Sequence, residues 1–214
     1  RPTRLVVNKK RIGKMSDLPR TVEIHEEGPR EGFQIEPGPI STVDKVKLID
    51  ALSKTGLKHI QACSFVNPRL VPGWADAEKV VESFDAHEDV EYTGLYFNGN
   101  GLDRALAFKD KLTISGSISL TASEGFTKKN LNRTHAENMA AMERHVMSHL
   151  ELGIPVNRIG VMAAFGCNYQ GDISPATVIK TLEDGMQIAA KTGAEITLFS
   201  LADTMGWAAP HRIE

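Results

Sequence analysis

The feature that most constrains the fold is a regular alternation, from Thr21 onward, between short β-branched runs and longer segments of helical period. Such an alternation is typical of α/β proteins with parallel strands. Because no low-complexity linker interrupts it, residues 21–214 are predicted to form one domain. The predicted strands are 21–25, 57–62, 90–96, 112–120, 158–164 and 195–201.

The segments between these strands carry recognisable helix starts. Thr134 with Glu137 three residues later forms a capping box, which predicts the first turn of a helix. Ser174 as cap, followed by Pro175 at the first helical position, predicts the start of the next helix. The range 41–55 has the same pattern and is also predicted to be helical.

Six strands with helices between them fit either a doubly wound open sheet or a (β/α)₈ barrel. A nucleotide-binding open sheet normally has a Gly-rich phosphate loop after its first strand, whereas residues 26–32 are acidic and contain a proline. The barrel is therefore favoured. Such barrels typically have about 250 residues. This chain has 214, so the barrel is predicted to lack its last two strand–helix units and to be a catalytic domain with its C-terminal part missing.

Charge and composition narrow the classes of partner. The net charge of −2 and the pI of about 6.4 argue against nucleic acid or an anionic membrane and favour a small-molecule substrate. Apolar runs fall short of the roughly 18 residues of a membrane span, and no signal-peptide pattern is present, so we expect a cytoplasmic protein. Residues 1–20 are strongly basic and are predicted to be a solvated N-terminal arm.

Polar side chains recur where the predicted strands end, which is where a barrel builds its active site. Any one of them could be a solvated loop residue, but their recurrence after several strands indicates a site. Acids beside an arginine suit a hard divalent cation with oxygen ligands, and a guanidinium that stabilises an oxyanion. These residues include Glu26, Glu27, Arg30, Glu31, Gln61, Ser64, Ser123, Asp203 and Thr204.

A family resemblance rests on five ordered blocks. Residues 26–34, Glu-Glu-Gly-Pro-Arg-Glu-Gly-Phe-Gln, resemble the Gly-Pro-Arg-Asp-Gly-Leu-Gln motif after the first strand of 3-hydroxy-3-methylglutaryl-CoA lyases. Residues 64–68, 122–130, 165–171 and 203–206 match further blocks of that family in the same order. Because the blocks extend across most of the chain, the resemblance is far more specific than a single motif.

The resemblance implies a metal-dependent (β/α)₈ lyase that cleaves a branched 3-hydroxyacyl-CoA to acetyl-CoA and a keto acid by retro-aldol chemistry. It implies Mg²⁺ or Mn²⁺ bound by Glu31, an enolate stabilised by Arg30, and a catalytic Asp203 close to cation and substrate. It also implies a homodimer. The candidate substrate-binding residues are Gln34, Gln61, Ser64, Ser123, Asn130 and Thr204.

Two residues depart from the family pattern. Glu31 stands where the family usually has aspartate, which places the carboxylate about 1.5 Å further from the backbone. Gln61 stands where the family has glutamate, so an acceptor-only group becomes a mixed donor and acceptor. We expect altered metal geometry from the first change and altered substrate choice from the second. The family's His-X-His metal pair and late catalytic cysteine are expected beyond Glu214.

Two other functions stay open at this point: a Claisen-type acyl-CoA synthase, and a non-catalytic thioester-binding or partner protein with a degenerate metal site. Cys167 fits a small buried thiol at least as well as a reactive one. His25 lies beside the acids, whereas His59 is predicted to be a surface residue, and no two histidines have the sequence spacing of a metal pair.

Overall fold

The computed structural model describes residues 20–38 and 40–213. The predicted basic arm therefore lies, apart from Arg20, outside the described residues. The chain divides between Thr113 and Ile114 into two compact units, here called the first unit and the second unit.

The first unit contains a three-stranded parallel sheet in the order β1–β2–β3. Its strands are β1 (His25–Glu26), β2 (His59–Ser64) and β3 (Glu91–Leu95). A 3₁₀ turn at Pro72–Trp74 precedes the third helix of this unit. The helices are α1 (Gly28–Ile35), α2 (Thr42–Leu52), α3 (Ala77–Ser83) and α4 (Gly99–Leu106).

The second unit contains the strands β4 (Gly116–Thr121), β5 (Val156–Met162), β6 (Gly166–Cys167), β7 (Gly171–Asp172) and β8 (Leu198–Leu201). β4, β5 and β8 form a parallel sheet in that order, and β6 and β7 form a short antiparallel pair. The helices are α5 (Glu124–Leu131), α6 (His135–Glu151), α7 (Pro175–Thr192) and α8 (Pro210–Ile213).

The predicted helix starts are confirmed. Both hydrogen bonds of the capping box between Thr134 and Glu137 are present, and Ser174 accepts from the Thr177 amide at the start of α7. The apolar stripes of α6 and α7 then pack on β4 and β5. The centre of this core is fully or almost fully buried and comprises Ile118, Leu120, Val146, Ile159 and Ile188.

The parallel α/β alternation is confirmed, but some boundaries differ. The first strand was predicted over 21–25, whereas β1 occupies only His25–Glu26, because its partner β2 begins at His59. Helix α1 and the β6–β7 pair were not predicted. No helix in the described part of the chain is long and apolar enough to cross a membrane.

Candidate active site and its supporting contacts

Arg30 is the centre of a polar cluster at the carboxyl end of β1. Helix α1 begins after that strand, with buried Pro29 in its first turn, and this places Arg30 against Gln61 in the middle of β2. The guanidinium donates from Nε to Gln61 Oε1 at 2.5 Å, from Nη2 to Glu27 Oε2 at 2.7 Å, and from Nη1 to Glu31. The structure therefore brings together the three predicted residues Arg30, Glu31 and Gln61.

Arg30 itself is well held, since its side chain is only 13% exposed while the two carboxylates are about half exposed. A guanidinium is planar, so acceptors on several of its edges fix the plane as well as the position. The arrangement presents a fixed cationic fork beside exposed carboxylates. Such a fork can stabilise negative charge that develops on a bound carbonyl oxygen.

A second layer holds the backbone of Arg30. The indole Nε1 of Trp74 donates to the Arg30 carbonyl at 3.0 Å, and the Lys45 ammonium lies 4.8 Å from the centre of the Trp74 ring. Lys45 also donates to Asp76 Oδ1 and to the Gly73 carbonyl, each at 2.5 Å. Because the Lys45 side chain is only 2% exposed, these partners replace the water that would otherwise surround the ammonium.

Asp76 remains ionised in this layer. Burial by itself raises the pKa of its carboxyl, but hydrogen bonds from Lys45 and Thr42 and the charge of Lys45 hold the pKa below its usual value. The Thr42 hydroxyl donates to Asp76 Oδ2 at 2.6 Å, and Thr42 is the first residue of α2. Asp76 thus connects the start of α2 to the turn that carries Trp74.

Two further predicted residues lie in the first unit. Gln34 is half-buried in α1. Ser64 ends β2 and is fully buried, and its hydroxyl has no hydrogen-bond partner among the residues described. The buried hydroxyl of Ser64 is therefore out of reach of a substrate in this arrangement.

In the second unit, Ser123 caps α5 and is fully buried. Its hydroxyl accepts from the Phe126 amide at 3.1 Å, donates to Gln170 Oε1 at 3.1 Å, and lies 2.9 Å from Cys167 Sγ. Cys167 is a buried thiol, one of the two alternatives left open by the sequence. Asn130 lies near the end of the same helix and is exposed.

Asp203 and Thr204 organise the loop after β8. Asp203 accepts from the Trp207 amide through Oδ1 at 2.7 Å and from the Ala208 amide through Oδ2 at 3.0 Å. The Thr204 hydroxyl accepts from the Ala163 amide at 2.8 Å, and Ala163 has a left-handed backbone with φ of 54°. Both predicted residues therefore fix loop backbone in addition to any contact with a ligand.

Several contacts were missed by sequence reasoning. Trp74, Lys45 and Asp76 support Arg30 from the segments between strands, and no motif marks them. Gln170 lies inside a matched block but has no spacing relation to Ser123.

The positions of the histidines differ most from the sequence prediction. Within the described residues, one group of three His, Cys, Asp or Glu side chains has ligand atoms that all lie within 4.8 Å of one another. That group is Glu23, His25 and His59, and it does not include Glu31. The prediction that His59 is a surface or helix-face residue was wrong, since it is half-buried on β2 and stacks on His25.

Comparison with known proteins identifies relatives along most of the chain. The family model described as HMGL-like matches residues 21–214. A hydroxymethylglutaryl-CoA lyase of Bacillus subtilis is 33% identical over 196 residues, which are 92% of this chain and 62% of the relative. The human mitochondrial hydroxymethylglutaryl-CoA lyase is 36% identical, with 92% of this chain and 57% of the relative covered.

Solved structures of lyases also resemble this chain. The hydroxymethylglutaryl-CoA lyase of Pseudomonas aeruginosa matches with a TM-score of 0.78 and 29% identity over 91% of this chain and 62% of that one. An HMG-CoA lyase of Acinetobacter baumannii in complex with coenzyme A and 3-methylmalate matches with a TM-score of 0.73 and 31% identity, covering 90% of this chain and 59% of that one.

The chain thus spans about three fifths of the length of the relatives it matches. These likenesses confirm the predicted fold class, a (β/α)₈ barrel that is incomplete in this chain, over the open-sheet alternative. Because the family model matches nearly all of the sequence and the relatives exceed 30% identity, the chain belongs to the HMGL-like family.

Proposed function

We propose that the full-length protein is a carbon–carbon lyase that cleaves 3-hydroxy-3-methylglutaryl-CoA, or a close branched 3-hydroxyacyl-CoA, to acetyl-CoA and a keto acid. The observation that carries this proposal is the guanidinium of Arg30, fixed after β1 by Gln61, Glu27 and Glu31. The names of the relatives support the same chemistry, and one of them binds coenzyme A.

The proposed reaction breaks the bond between the carbinol carbon and the carbon next to the thioester. Loss of the hydroxyl proton turns the carbinol into the carbonyl of the keto acid, and the electron pair of the broken bond forms the enolate of acetyl-CoA. A proton then adds to the enolate carbon. Arg30 donates to the enolate oxygen, where negative charge is larger in the transition state than in the substrate, so this contact lowers the barrier.

For the cation we propose Mg²⁺ or Mn²⁺, with Glu31 as one ligand. The fit rests on its half-exposed carboxylate, an oxygen donor of the kind that hard cations prefer. When bound, the cation polarises substrate oxygens and makes the hydroxyl proton easier to remove. Arg30 holds one edge of the Glu31 carboxylate, which orients that group as a ligand.

The remaining site residues divide by exposure. We propose Gln34, Gln61, Asn130 and Thr204 as substrate contacts, and Asp203 as a catalytic residue of the second unit. Burial of Ser64 and Ser123 favours supporting roles for both.

Assembly and location are also proposals. We propose a homodimer, which light scattering of the purified full-length protein tests. We propose a cytoplasmic location, which fluorescence microscopy tests, since the relatives include a mitochondrial enzyme.

The test of the activity uses the full-length protein with 3-hydroxy-3-methylglutaryl-CoA and Mn²⁺ or Mg²⁺, and follows acetyl-CoA and acetoacetate by mass spectrometry. We expect product that disappears with a chelator. Arg30→Met keeps an unbranched stem but removes the guanidinium and all its donors, and we expect a loss of at least about 100-fold in kcat, the effect of removing one oxyanion donor. Arg144→Met, at an exposed arginine of α6, is the matched control.

Product formation by Arg30→Met at the wild-type rate would refute the assigned role. If the wild-type protein forms no product, longer branched analogues are tested next, because Gln61 is expected to change substrate choice. Failure on all of these substrates in the presence of bound cation would overturn the proposed activity.

A further inference from the structure

We propose that Glu23, His25 and His59 form a binding site for a borderline transition-metal ion such as Zn²⁺, and that Glu91 orients His59 within it. All four residues belong to the first unit. They lie at or before the first residues of β1, β2 and β3, whereas Arg30 and Glu31 follow the carboxyl end of β1. The site is therefore separate from the cation proposed at Glu31.

Strand register brings these residues together. His25 is the direct neighbour of His59 across the β1–β2 pair, and His59 is the direct neighbour of Glu91 across the β2–β3 pair. Neighbours aligned across a sheet project from the same face. The two imidazole rings accordingly stack at 4.0 Å with an interplanar angle of 1°.

The donor atoms converge on one side of the rings. Nε2 of His25 lies 3.4 Å from Glu23 Oε1, and Nε2 of His59 also contacts that oxygen. Around a tetrahedral ion with bonds of about 2.1 Å, ligand atoms are about 3.4 Å apart. The three donor atoms already lie within 4.8 Å of one another. Binding of one ion would turn the two stacked rings out of their parallel orientation, so that both Nε2 lone pairs are directed at it.

Glu91 supplies a carboxylate–histidine contact of the kind that accompanies metal-bound histidines. Its Oε2 lies 2.7 Å from Nδ1 of His59. A proton held on Nδ1 by a carboxylate leaves the lone pair of Nε2 free for a metal, and this carboxylate–histidine contact is the usual outer partner of a metal-bound histidine. Two neutral imidazoles and two carboxylates also balance the charge of one divalent ion.

The donor set determines the class of ion. Two imidazole nitrogens with one carboxylate oxygen suit Zn²⁺, Co²⁺ or Ni²⁺, whereas Mg²⁺ prefers oxygen ligands. The side chains of Glu23 and His25 are 59% and 54% exposed, so an ion can enter and water can complete its coordination. A bound ion would tie β1 to β2 directly and to β3 through Glu91.

The test is a titration of the metal-stripped full-length protein, with any affinity tag removed, by Co²⁺ followed by Zn²⁺. Visible absorption of Co²⁺ reports the coordination, and competition with a chromophoric chelator gives the affinity. We expect His25→Gln and His59→Gln each to bind one equivalent fewer than the wild type. Glu91→Gln should keep the equivalent with about 10–100-fold weaker affinity, as expected for an outer partner.

Two controls separate this site from other metal sites. His87→Gln alters an exposed histidine of the first unit, and Glu31→Ala removes the ligand proposed for the lyase cation. Both variants should bind as many equivalents of Zn²⁺ at Glu23, His25 and His59 as the wild type. Zn²⁺ should also raise the unfolding temperature of the wild type but not of His59→Gln.

Equal stoichiometry in the wild type, His25→Gln and His59→Gln would overturn the proposal, whatever the lyase activity of the protein. If His59→Gln does not fold, the exposed His25 and the outer partner Glu91 decide the question, because their variants disturb less packing. Unchanged affinity in both of those variants would likewise overturn it.

Discussion

Replacing Asp76 by Asn tests whether the buried layer behind Arg30 holds the first unit together. The substitution keeps the shape and one acceptor but removes the charge that faces the Lys45 ammonium at 2.5 Å. Breaking a buried ion pair by removing one partner costs roughly 3–5 kcal/mol. Asp76 is 23% exposed, so water compensates in part and we expect the lower end, about 3 kcal/mol.

The assay is thermal unfolding of the full-length protein at pH 7, followed by circular dichroism. A loss of 1 kcal/mol lowers the unfolding temperature of a domain of 150–250 residues by about 2–4 °C, so Asp76→Asn should unfold about 6–12 °C lower. Asp110→Asn, at an exposed aspartate of the same unit, is the matched control and should change stability by less than about 0.5 kcal/mol.

The pH dependence provides an independent check. The pKa of Asp76 is lower in the folded protein than its usual value of about 3.9. Its contribution is therefore fully present above that value and is lost as the pH falls through the folded pKa. The difference between wild type and Asp76→Asn should be constant from pH 7 to pH 5 and should shrink below about pH 4.

A double-mutant cycle completes the test. Lys45→Met removes the buried ammonium. In that background, Asp76→Asn leaves no buried charge without a partner. The double variant should therefore lose less stability than the sum of the two single variants. Coupling of about 0.5–3 kcal/mol is typical of residues in one network. Additive effects, or an unfolding temperature within 2 °C of the wild type for Asp76→Asn, would refute the reasoning.

Three further outcomes follow from individual contacts. Gly73→Ala should cost about 1–3 kcal/mol in urea unfolding, because a Cβ there would lie 2.7 Å from the Phe33 carbonyl oxygen, and wild-type stability would contradict that packing. Ser174→Ala removes the cap of α7 and should cost about 1 kcal/mol, whereas Ser174→Thr should not. Gln61→Glu adds a carboxylate beside Arg30 and should lower the half-saturating Mn²⁺ concentration about fivefold, from roughly 1 kcal/mol of Coulomb attraction between a carboxylate and a divalent ion about 8 Å apart in water. An unchanged Mn²⁺ dependence would exclude a nearby cation.

The convergence of Arg30, Glu31 and Gln61 could be predicted because the carboxyl ends of neighbouring parallel strands meet at one edge of a sheet. The position of each of these residues near the end of a predicted strand can be read from the local sequence. The starts of α6 and α7 could be predicted for the same reason, since a cap acts over three residues.

Contacts that depend on register could not be predicted. His25 and His59 are 34 positions apart, and only the alignment of β1 with β2 makes them neighbours. A shift of one residue would place the two rings on opposite faces of the sheet. Lys45 and Asp76 likewise meet only because α2 packs beside the turn that ends at Trp74. The helical pattern of residues 41–55 predicts the helix that carries Lys45 but not its partner.

The two departures from the family pattern both act on one guanidinium. Arg30 carries one positive charge and contacts the carboxylates Glu27 and Glu31 and the amide oxygen of Gln61. With a glutamate at position 61, a third carboxylate would compete for the same N–H donors. A neutral amide oxygen is the weaker acceptor, so in the proposed reaction Arg30 would transfer that hydrogen bond to the developing enolate at lower cost. The same neutral group would attract the proposed cation less than a carboxylate, which would leave more of the affinity for that cation to Glu31. In the proposed lyase, substrate choice and cation affinity would therefore be coupled through the side chains that surround Arg30.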